Sequence, residues 1–124
     1  MESEARMYLP WPPSVNRIWR TTSKGIIYLT KAAKEYRQMV CYIVAASRLK
    51  DAFPKDSHLE MTMLAYPPDN RHRDIDNICK CVLDALEDAS VYNNDSQIRI
   101  LHLEMLEMRK GGMITVTLNR MDQE

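Results

Sequence analysis

The alternation of apolar and polar residues predicts a small sheet assembled from short strands. Five segments have the alternation or the apolar and aromatic content typical of strands: residues 6–9, 26–29, 58–65, 98–108 and 114–118. The turn at residues 109–112 contains two glycines and separates the last two segments. We therefore expect these two strands to form a β-hairpin. The alternation slips near Ile100 and again near Met105, which predicts β-bulges there.

Apolar residues spaced three and four apart predict two helices, one at Lys31 to Lys50 and one at Asp76 to Ala89. Thr30 precedes the first helix and is a suitable N-cap. The predicted buried faces comprise residues 33, 36, 40, 43, 44 and 47 of the first helix and residues 75, 78, 82, 85, 86 and 89 of the second. The order β-β-α-β-α-β-β predicts an α+β protein with a mixed β-sheet and two main helices. Neither a repeat nor a linker divides residues 1–124, so we expect a single domain.

The most highly charged stretch connects the third predicted strand to the second helix. Residues 71–80 read Arg-His-Arg-Asp-Ile-Asp-Asn-Ile-Cys-Lys, and another carboxylate follows at Asp95. Crowded carboxylates repel each other unless a cation lies among them. A hard ion such as Mg²⁺ is usually bound by one or two carboxylates together with substrate phosphates. Because basic side chains flank this acidic group, we interpret the stretch as a phosphodiester-cutting centre.

Each part of this stretch also has a simpler interpretation. Aspartate is a common N-cap, and its charge suits the positive end of a helix dipole. Lys80 lies four residues from both Asp76 and Asp84, so it could merely form an ion pair with either. For Asp84 we expect the structural role, a pair with Lys80.

Charge is unevenly distributed along the chain although the net charge is zero. Residues 1–50 hold nine basic and three acidic residues, a balance of +6, and residues 51–124 hold eight and fourteen, a balance of −6. A basic half that grips phosphates and an acidic half that holds a metal would suit a nuclease. An oligomer joined by opposite charges fits this pattern equally well. Our candidates for phosphate contacts are Arg17, Arg20, Lys24, Arg71 and Arg73.

The remaining composition predicts a reduced, cytoplasmic protein. The longest apolar run, Met39 to Ala46, is too short to span a bilayer, and the acidic N-terminus does not resemble a secretory signal. The three cysteines lack the spacing of a zinc or redox motif.

The motifs resemble those of the RusA-type Holliday-junction resolvases of bacteria and their prophages. The most specific motif is Arg-Asp-x-Asp-Asn-x-x-Lys at residues 73–80, followed by Asp84-Ala85-Leu86. Supporting motifs are Leu-Pro-Trp-Pro-Pro-Ser-x-Asn-Arg at residues 9–17, Asn-Asp-x-Gln at residues 94–97 and Lys-Gly-Gly at residues 110–112. They occur in order and at the family spacing over nearly the whole chain.

The resemblance implies a RusA-like fold and an Mg²⁺-dependent homodimer that resolves four-way DNA junctions by paired symmetric nicks; Mn²⁺ would be a substitute ion. It also implies that Asp74, Asp76 and Asp95 are catalytic metal ligands and that Lys80 is the essential lysine. Two positions depart from the family pattern. Asn94 replaces a commonly acidic residue, which would weaken metal affinity, and Ser90 replaces the glycine that usually ends the helix.

The position of Asp95 raises a geometric question. A helix from Asp76 to Ala89 is about 20 Å long, and the six residues that follow span about 20 Å when fully extended. Asp95 therefore reaches Asp76 only by returning straight along the helix, unless the helix is shorter or a partner subunit supplies Asp95. Two alternative functions also remain open: an Mg²⁺-dependent nuclease that cuts flaps or RNA, and a catalytically inactive junction-binding module.

Overall fold

The computed structural model describes residues 4–14 and 19–121 and has the predicted α+β architecture. Its elements in chain order are β1 (Glu4–Leu9), β2 (Trp19–Thr21), β3 (Ile27–Leu29), α1 (Lys31–Ala46), β4 (Leu59–Tyr66), α2 (Ile75–Asp88), a 3₁₀ turn (Asp95–Gln97), β5 (Ile98–Met105) and β6 (Met113–Arg120). The sequence analysis missed β2, because a strand of three residues is too short to show periodicity. It pairs with β3 in a separate two-stranded hairpin.

The main sheet has the strand order β1-β6-β4-β5, with β4 and β5 parallel and the other neighbours antiparallel. The predicted hairpin between the last two strands is therefore wrong, since β4 lies between them. Four apolar side chains of β4 are fully buried, so a central position with a ladder on each side suits this strand. After β5 the chain crosses the end of β4, where Leu106 N–H donates to the Ala65 carbonyl and Arg109 N–H to that of Pro67.

This crossing also shortens β5, which ends at Met105 rather than Met108. The register of β5 against β4 shifts between Leu59 and Glu60, which leaves Arg99 as an extra residue. The predicted irregularity near Ile100 thus lies one residue earlier. Gly112 returns the chain toward β6 with a φ of +73°, and a Cβ atom there would lie 2.9 Å from the Cβ of Trp11. Glycine is required at this close approach.

Helix α1 begins with a capping hydrogen bond, and both helices end in a recognisable capping motif. The predicted N-cap of α1 is confirmed, since Thr30 Oγ1 accepts a hydrogen bond from Ala33 N–H at 3.3 Å. Helix α1 ends four residues before the predicted Lys50, because Arg48 adopts a φ of 61° and Leu49 N–H donates to the Val44 carbonyl. This is a Schellman motif. A second one ends α2, where Ser90 adopts a φ of 64° at the position that favours glycine.

The two helices cover one face of the main sheet, and their apolar stripes form the core with it. Most of the predicted helix positions are buried; Ser47 and Ile75 are exposed. Tyr36 Oη donates to the Pro10 carbonyl at 2.9 Å, which ties α1 to the proline segment after β1. Within the described residues, no helix is long and apolar enough to cross a membrane. The packing places the beginning of α2 at the end of β4, beside the proline segment.

Candidate active site

The loop between β4 and α2 is held together by Asp69. The Asp69 carboxylate lies 2.8 Å from Arg73 Nη1, and it accepts hydrogen bonds from the backbone N–H of Arg71 at 3.0 Å and from the Arg71 guanidinium at 3.2 and 3.3 Å. Arg73 also donates to the carbonyls of Asp69 and Arg71, and its guanidinium lies over the ring of Trp11 at 5.5 Å. These contacts join the loop to the proline segment immediately before Asp74.

The two arginines of this loop differ in their access to a substrate. The Arg73 side chain is 18% exposed, and its guanidinium forms an ion pair with Asp69 and donates to two backbone carbonyls. Its main role is therefore to stabilise the loop. The Arg71 guanidinium also donates to Asp69, but its side chain is 83% exposed and keeps most of its surface toward solvent. Of the two predicted phosphate contacts, Arg71 is therefore the better placed for an incoming phosphate.

Hydrogen bonds from Arg73, and then from Arg71, hold the pKa of Asp69 well below its ordinary value of 3.8. A depressed folded-state pKa contributes stability that is fully present above the unfolded pKa and is lost as pH falls toward the folded one. We therefore expect Asp69→Asn to lower the melting temperature at neutral pH, with a difference from the wild type that shrinks below about pH 4. Thermal denaturation of both proteins across acidic pH measures this. A difference that stays constant with pH would contradict the assignment.

Asp74 occupies the N-cap position of α2 without performing the usual N-cap function. Its backbone is extended, but its side chain forms no capping hydrogen bond to the first turn of the helix. One carboxylate oxygen instead accepts from Asn77 Nδ2 at 3.2 Å. Asp76 lies in the same first turn and is exposed. The simpler interpretation of Asp74 as a helix cap is therefore wrong, because its side chain forms no capping hydrogen bond. The carboxylates of Asp74 and Asp76 are both accessible to water and ligands.

Lys80 forms the predicted ion pair with Asp84, with 3.0 Å between Nζ and Oδ1. Asp84 also approaches Arg37 of α1 at 3.9 Å, so it links the two helices. The hydrogen bond to Asp84 is the main cause of a raised pKa of Lys80, and the charges of Asp95 and Glu87 act in the same direction. Lys80 is therefore a permanent cation at neutral pH, within electrostatic reach of Asp95.

After α2 the chain turns back along the helix, but it brings Asp95 only as far as the second half of α2. Its backbone N–H donates to Glu87 Oε1 at 2.8 Å, and Asn94 and Gln97 form a capping box around the 3₁₀ turn. Glu87 lies eleven residues after Asp76 in α2, about 16 Å further along the helix axis. Within one chain Asp95 thus lies near the second half of α2, while Asp74 and Asp76 lie at its beginning. Across residues 4–14 and 19–121, no three His, Cys, Asp or Glu side chains converge closely enough to hold a metal ion.

The sequence analysis did not identify Asp69 and Glu87 as contributors to this region, and it named Gln97 only as part of the motif at residues 94–97. The spacing Asn94-x-x-Gln97 resembles a capping box and could have indicated the turn. Asn94 Oδ1 accepts from Ser96 N–H at 2.8 Å, so the residue that departs from the family pattern at position 94 caps this turn. Asp69 and Glu87 carry no sequence signal of their own, because their partners are fixed by the folded loops.

A groove of about 590 Å³ opens beside Asp74. The proline segment forms one wall and the beginning of α2 the other; its lining comprises Trp11, Pro12, Pro13, Ser14, Arg71, His72, Arg73, Asp74, Asn77 and Ile78. A carboxylate thus faces a groove that also carries cationic side chains. Among the other predicted phosphate contacts, Arg20 and Lys24 are exposed on the β2–β3 hairpin, and Arg17 lies outside the described residues.

Comparison with known proteins identifies the family. Residues 10–119 match the family model described as "Endodeoxyribonuclease RusA". The chain belongs to the RusA endodeoxyribonuclease family. It is 34% identical over 118 residues to the crossover junction endodeoxyribonuclease RusA of Enterobacteria phage 82, and 33% identical to the protein of that name from Escherichia coli K12, with 94% of each chain covered in both cases. A third RusA, from Enterobacteria phage HK97, is 32% identical over 120 residues and covers 97% of this chain and 98% of its own. The matched range contains the positions of Asp74, Asp76, Lys80 and Asp95.

Proposed function

We propose that this chain is a crossover junction endodeoxyribonuclease that resolves four-way DNA junctions by paired symmetric nicks, as a homodimer and with Mg²⁺. The observation that carries the proposal is the position of Asp74. This residue lies within the range that matches the RusA family, its carboxylate makes no helix cap, and it lines a groove together with Arg71. The carboxylate can hold a metal ion, and the exposed cation beside it can bind a phosphate. Both features suit a nucleic-acid substrate.

The oxygen donors at the beginning of α2 fit Mg²⁺. Asp74 and Asp76 offer carboxylate oxygens without competing lysine or arginine partners in the described residues, and Mg²⁺ usually takes one or two carboxylates with phosphate and water. When bound, the ion supplies a water of lowered pKa and screens charge at the phosphate. We propose Asp95 as the third ligand, either after a movement of its turn or from the partner subunit of a two-fold dimer.

The remaining residues bind and orient the substrate. The exposed guanidinium of Arg71 is available to bind a phosphate at the groove, while the Asp69–Arg73 contacts keep the backbone before Asp74 in place. Lys80 keeps its proton, since its pKa is raised, so it acts as a fixed positive charge rather than as a general base. That charge is suited to stabilising the phosphorane-like transition state. A four-way junction has two-fold symmetry, so a dimer with two such sites suits two coordinated cuts.

A panel of labelled substrates tests the function. The purified chain is incubated with a four-way junction, a 5′ flap, a linear duplex and an RNA hairpin, each with Mg²⁺, with Mn²⁺ and with EDTA. We expect metal-dependent nicks at symmetric positions in the junction only. Preferred cutting of the flap or the RNA would replace the proposal with a different nuclease. Metal-independent binding without cutting of any substrate would replace it with a junction-binding module.

A further inference from the structure

Strand β5 presents a long edge of the main sheet. Its eight residues, Ile98–Met105, pair with β4 on one side, and no other strand within residues 4–14 and 19–121 pairs with its second side. Ile100 and Leu101 are 45% and 43% exposed, although one lies on each face of the sheet. An edge of this length that carries apolar side chains is a template for pairing with another strand.

The opposite edge of the sheet is less suited to pairing. Strand β1 is two residues shorter and is followed by Pro10, which cannot donate to a ladder. The β5 edge is therefore the one that accepts a partner.

We infer that β5 pairs antiparallel with β5 of a second copy of this chain, in a register that places Leu103 on the two-fold axis. This inference deepens the homodimer of the proposed function and rests on it for the expectation that the chain self-associates. A two-fold axis that relates antiparallel edge strands is perpendicular to the sheet. Directly opposed residues then point to the same face, so each residue faces a partner residue of the same parity.

Among the registers that obey this rule, one matches hydrogen-bonding side chains as well as apolar surface. With Leu103 on the axis, His102 lies opposite Glu104 of the partner subunit, and Leu101 lies opposite Met105 of the partner subunit. Moving the axis by one residue to His102 places imidazole opposite imidazole, and moving it to Glu104 places carboxylate opposite carboxylate. Placing it on Leu101 leaves His102 opposite Ile100 of the partner subunit. An imidazole N–H can donate to a carboxylate that lies opposite it, whereas two carboxylates opposite each other destabilise the ladder.

The pair that selects this register is already formed within one chain. His102 Nε2 lies 2.7 Å from Glu104 Oε1 on the solvent face of β5. In the paired state, two imidazoles and two carboxylates would alternate around the axis, and each carboxylate would have an imidazole on both sides. On the helix-covered face, the exposed Leu101 would gain an apolar neighbour. The two four-stranded sheets become one sheet of eight strands with the helices of both copies on the same face.

Cysteine cross-linking tests the register. In the inferred dimer, the Cα atoms of position 103 in the two copies are about 5 Å apart, within disulfide range. Those of position 101 are offset by four residues and lie at least about 14 Å apart. Under mild oxidation we expect Leu103→Cys to form a disulfide-linked dimer and the matched variant Leu101→Cys to remain uncross-linked. The wild type reports any background from Cys41, Cys79 and Cys81. Cross-linking at 101 instead of 103 would overturn the register.

A charge swap tests the edge in solution, without DNA or metal, so its result does not depend on nuclease activity. By sedimentation velocity, His102→Glu is expected to raise the dimer dissociation constant about tenfold, because it places like charges opposite each other. The swap His102→Glu/Glu104→His should restore it. Glu60→His, on the same face of the neighbouring strand, is the control and should change little. A dimer that is insensitive to both changes would overturn the inferred edge but leave the proposed homodimer, whereas a monomeric wild type would contradict both.

Discussion

Replacing Asp74 by asparagine is expected to remove junction cleavage while junction binding remains. The variant loses the charged oxygen donor that faces the groove, but asparagine is as good an N-cap residue as aspartate, so α2 should form normally. We expect the single-turnover cleavage rate to fall by roughly 10²- to 10³-fold, the scale of losing a group that stabilises charge in an active site. Cleavage of a labelled junction measures the rate, and electrophoretic mobility shift in EDTA measures binding.

The matched control is Asp88→Asn, which makes the same chemical change on an exposed residue at the other end of α2. It should cleave within about twofold of the wild type. If Asp74→Asn also stayed within a few-fold of the wild type, the catalytic role of Asp74 would be wrong. If it lost binding and cleavage together while remaining folded, Asp74 would act in substrate binding rather than in the reaction.

Mixing two inactive variants locates Asp95. If one site takes Asp74 and Asp95 from the same chain, a mixed dimer of Asp74→Asn and Asp95→Asn has two damaged sites and stays inactive. If the two carboxylates come from different subunits, one site of the mixed dimer is intact. Single nicks would then return without paired cuts. Asp76 and Glu87, the residue that contacts Asp95, lie about 16 Å apart along the axis of α2. The mixing experiment therefore shows whether Asp95 acts within its own chain or in the site of the partner subunit.

The second large effect is expected on stability, from Gln97→Leu. The Gln97 amide is buried, and its oxygen accepts from the backbone N–H groups of Asn93 and Asn94 at 2.8 and 3.1 Å. Its nitrogen donates to the carbonyls of Pro54 and Ser57 at 2.9 and 3.0 Å. Leucine has a similar volume but leaves these backbone groups without a partner. We expect the free energy of unfolding to fall by about 3 kcal/mol, since each buried polar group left unpaired costs about 1–3 kcal/mol.

Urea denaturation followed by circular dichroism measures this loss. Gln38→Leu, on the exposed surface of α1, is the matched control and should change the free energy of unfolding by less than about 0.5 kcal/mol. Because Gln97 also fixes the turn that carries Asp95, cleavage should fall even where Gln97→Leu is fully folded. A Gln97→Leu protein as stable as the wild type would show that the amide network is not needed.

The sequence predicted the helices and strands better than their arrangement. The spacing of apolar residues located α1, α2 and β4, and Thr30 identified the beginning of α1, because these signals act between residues close in the chain. The hairpin prediction failed because it assumed that consecutive strands pair. The fully buried side chains of β4 favoured a central strand instead, and β6 pairs with it on the side away from β5.

The residues of the candidate site also fall into two groups: those that local spacing predicts and those that it does not. Asp74, Asp76 and Lys80 could be found from the sequence, because they lie within seven residues and share one helix end. The pair between Lys80 and Asp84 followed from helical spacing and is confirmed. The fastening of Arg73 by Asp69, and the contact of Asp95 with Glu87, depend on how two loops fold over α2. No local spacing rule predicts such contacts.

Cleavage of a cruciform in a supercoiled plasmid tests the central claim most directly. The cruciform is a four-way junction that disappears once the supercoiling is released, so its product records whether the two cuts are coordinated. The proposed function predicts linear plasmid in Mg²⁺, with no linear product from Asp74→Asn or in EDTA. Open circles alone would show uncoordinated single nicks and contradict resolution by paired cuts. Uncut plasmid, with the cruciform still bound, would contradict the nuclease assignment itself.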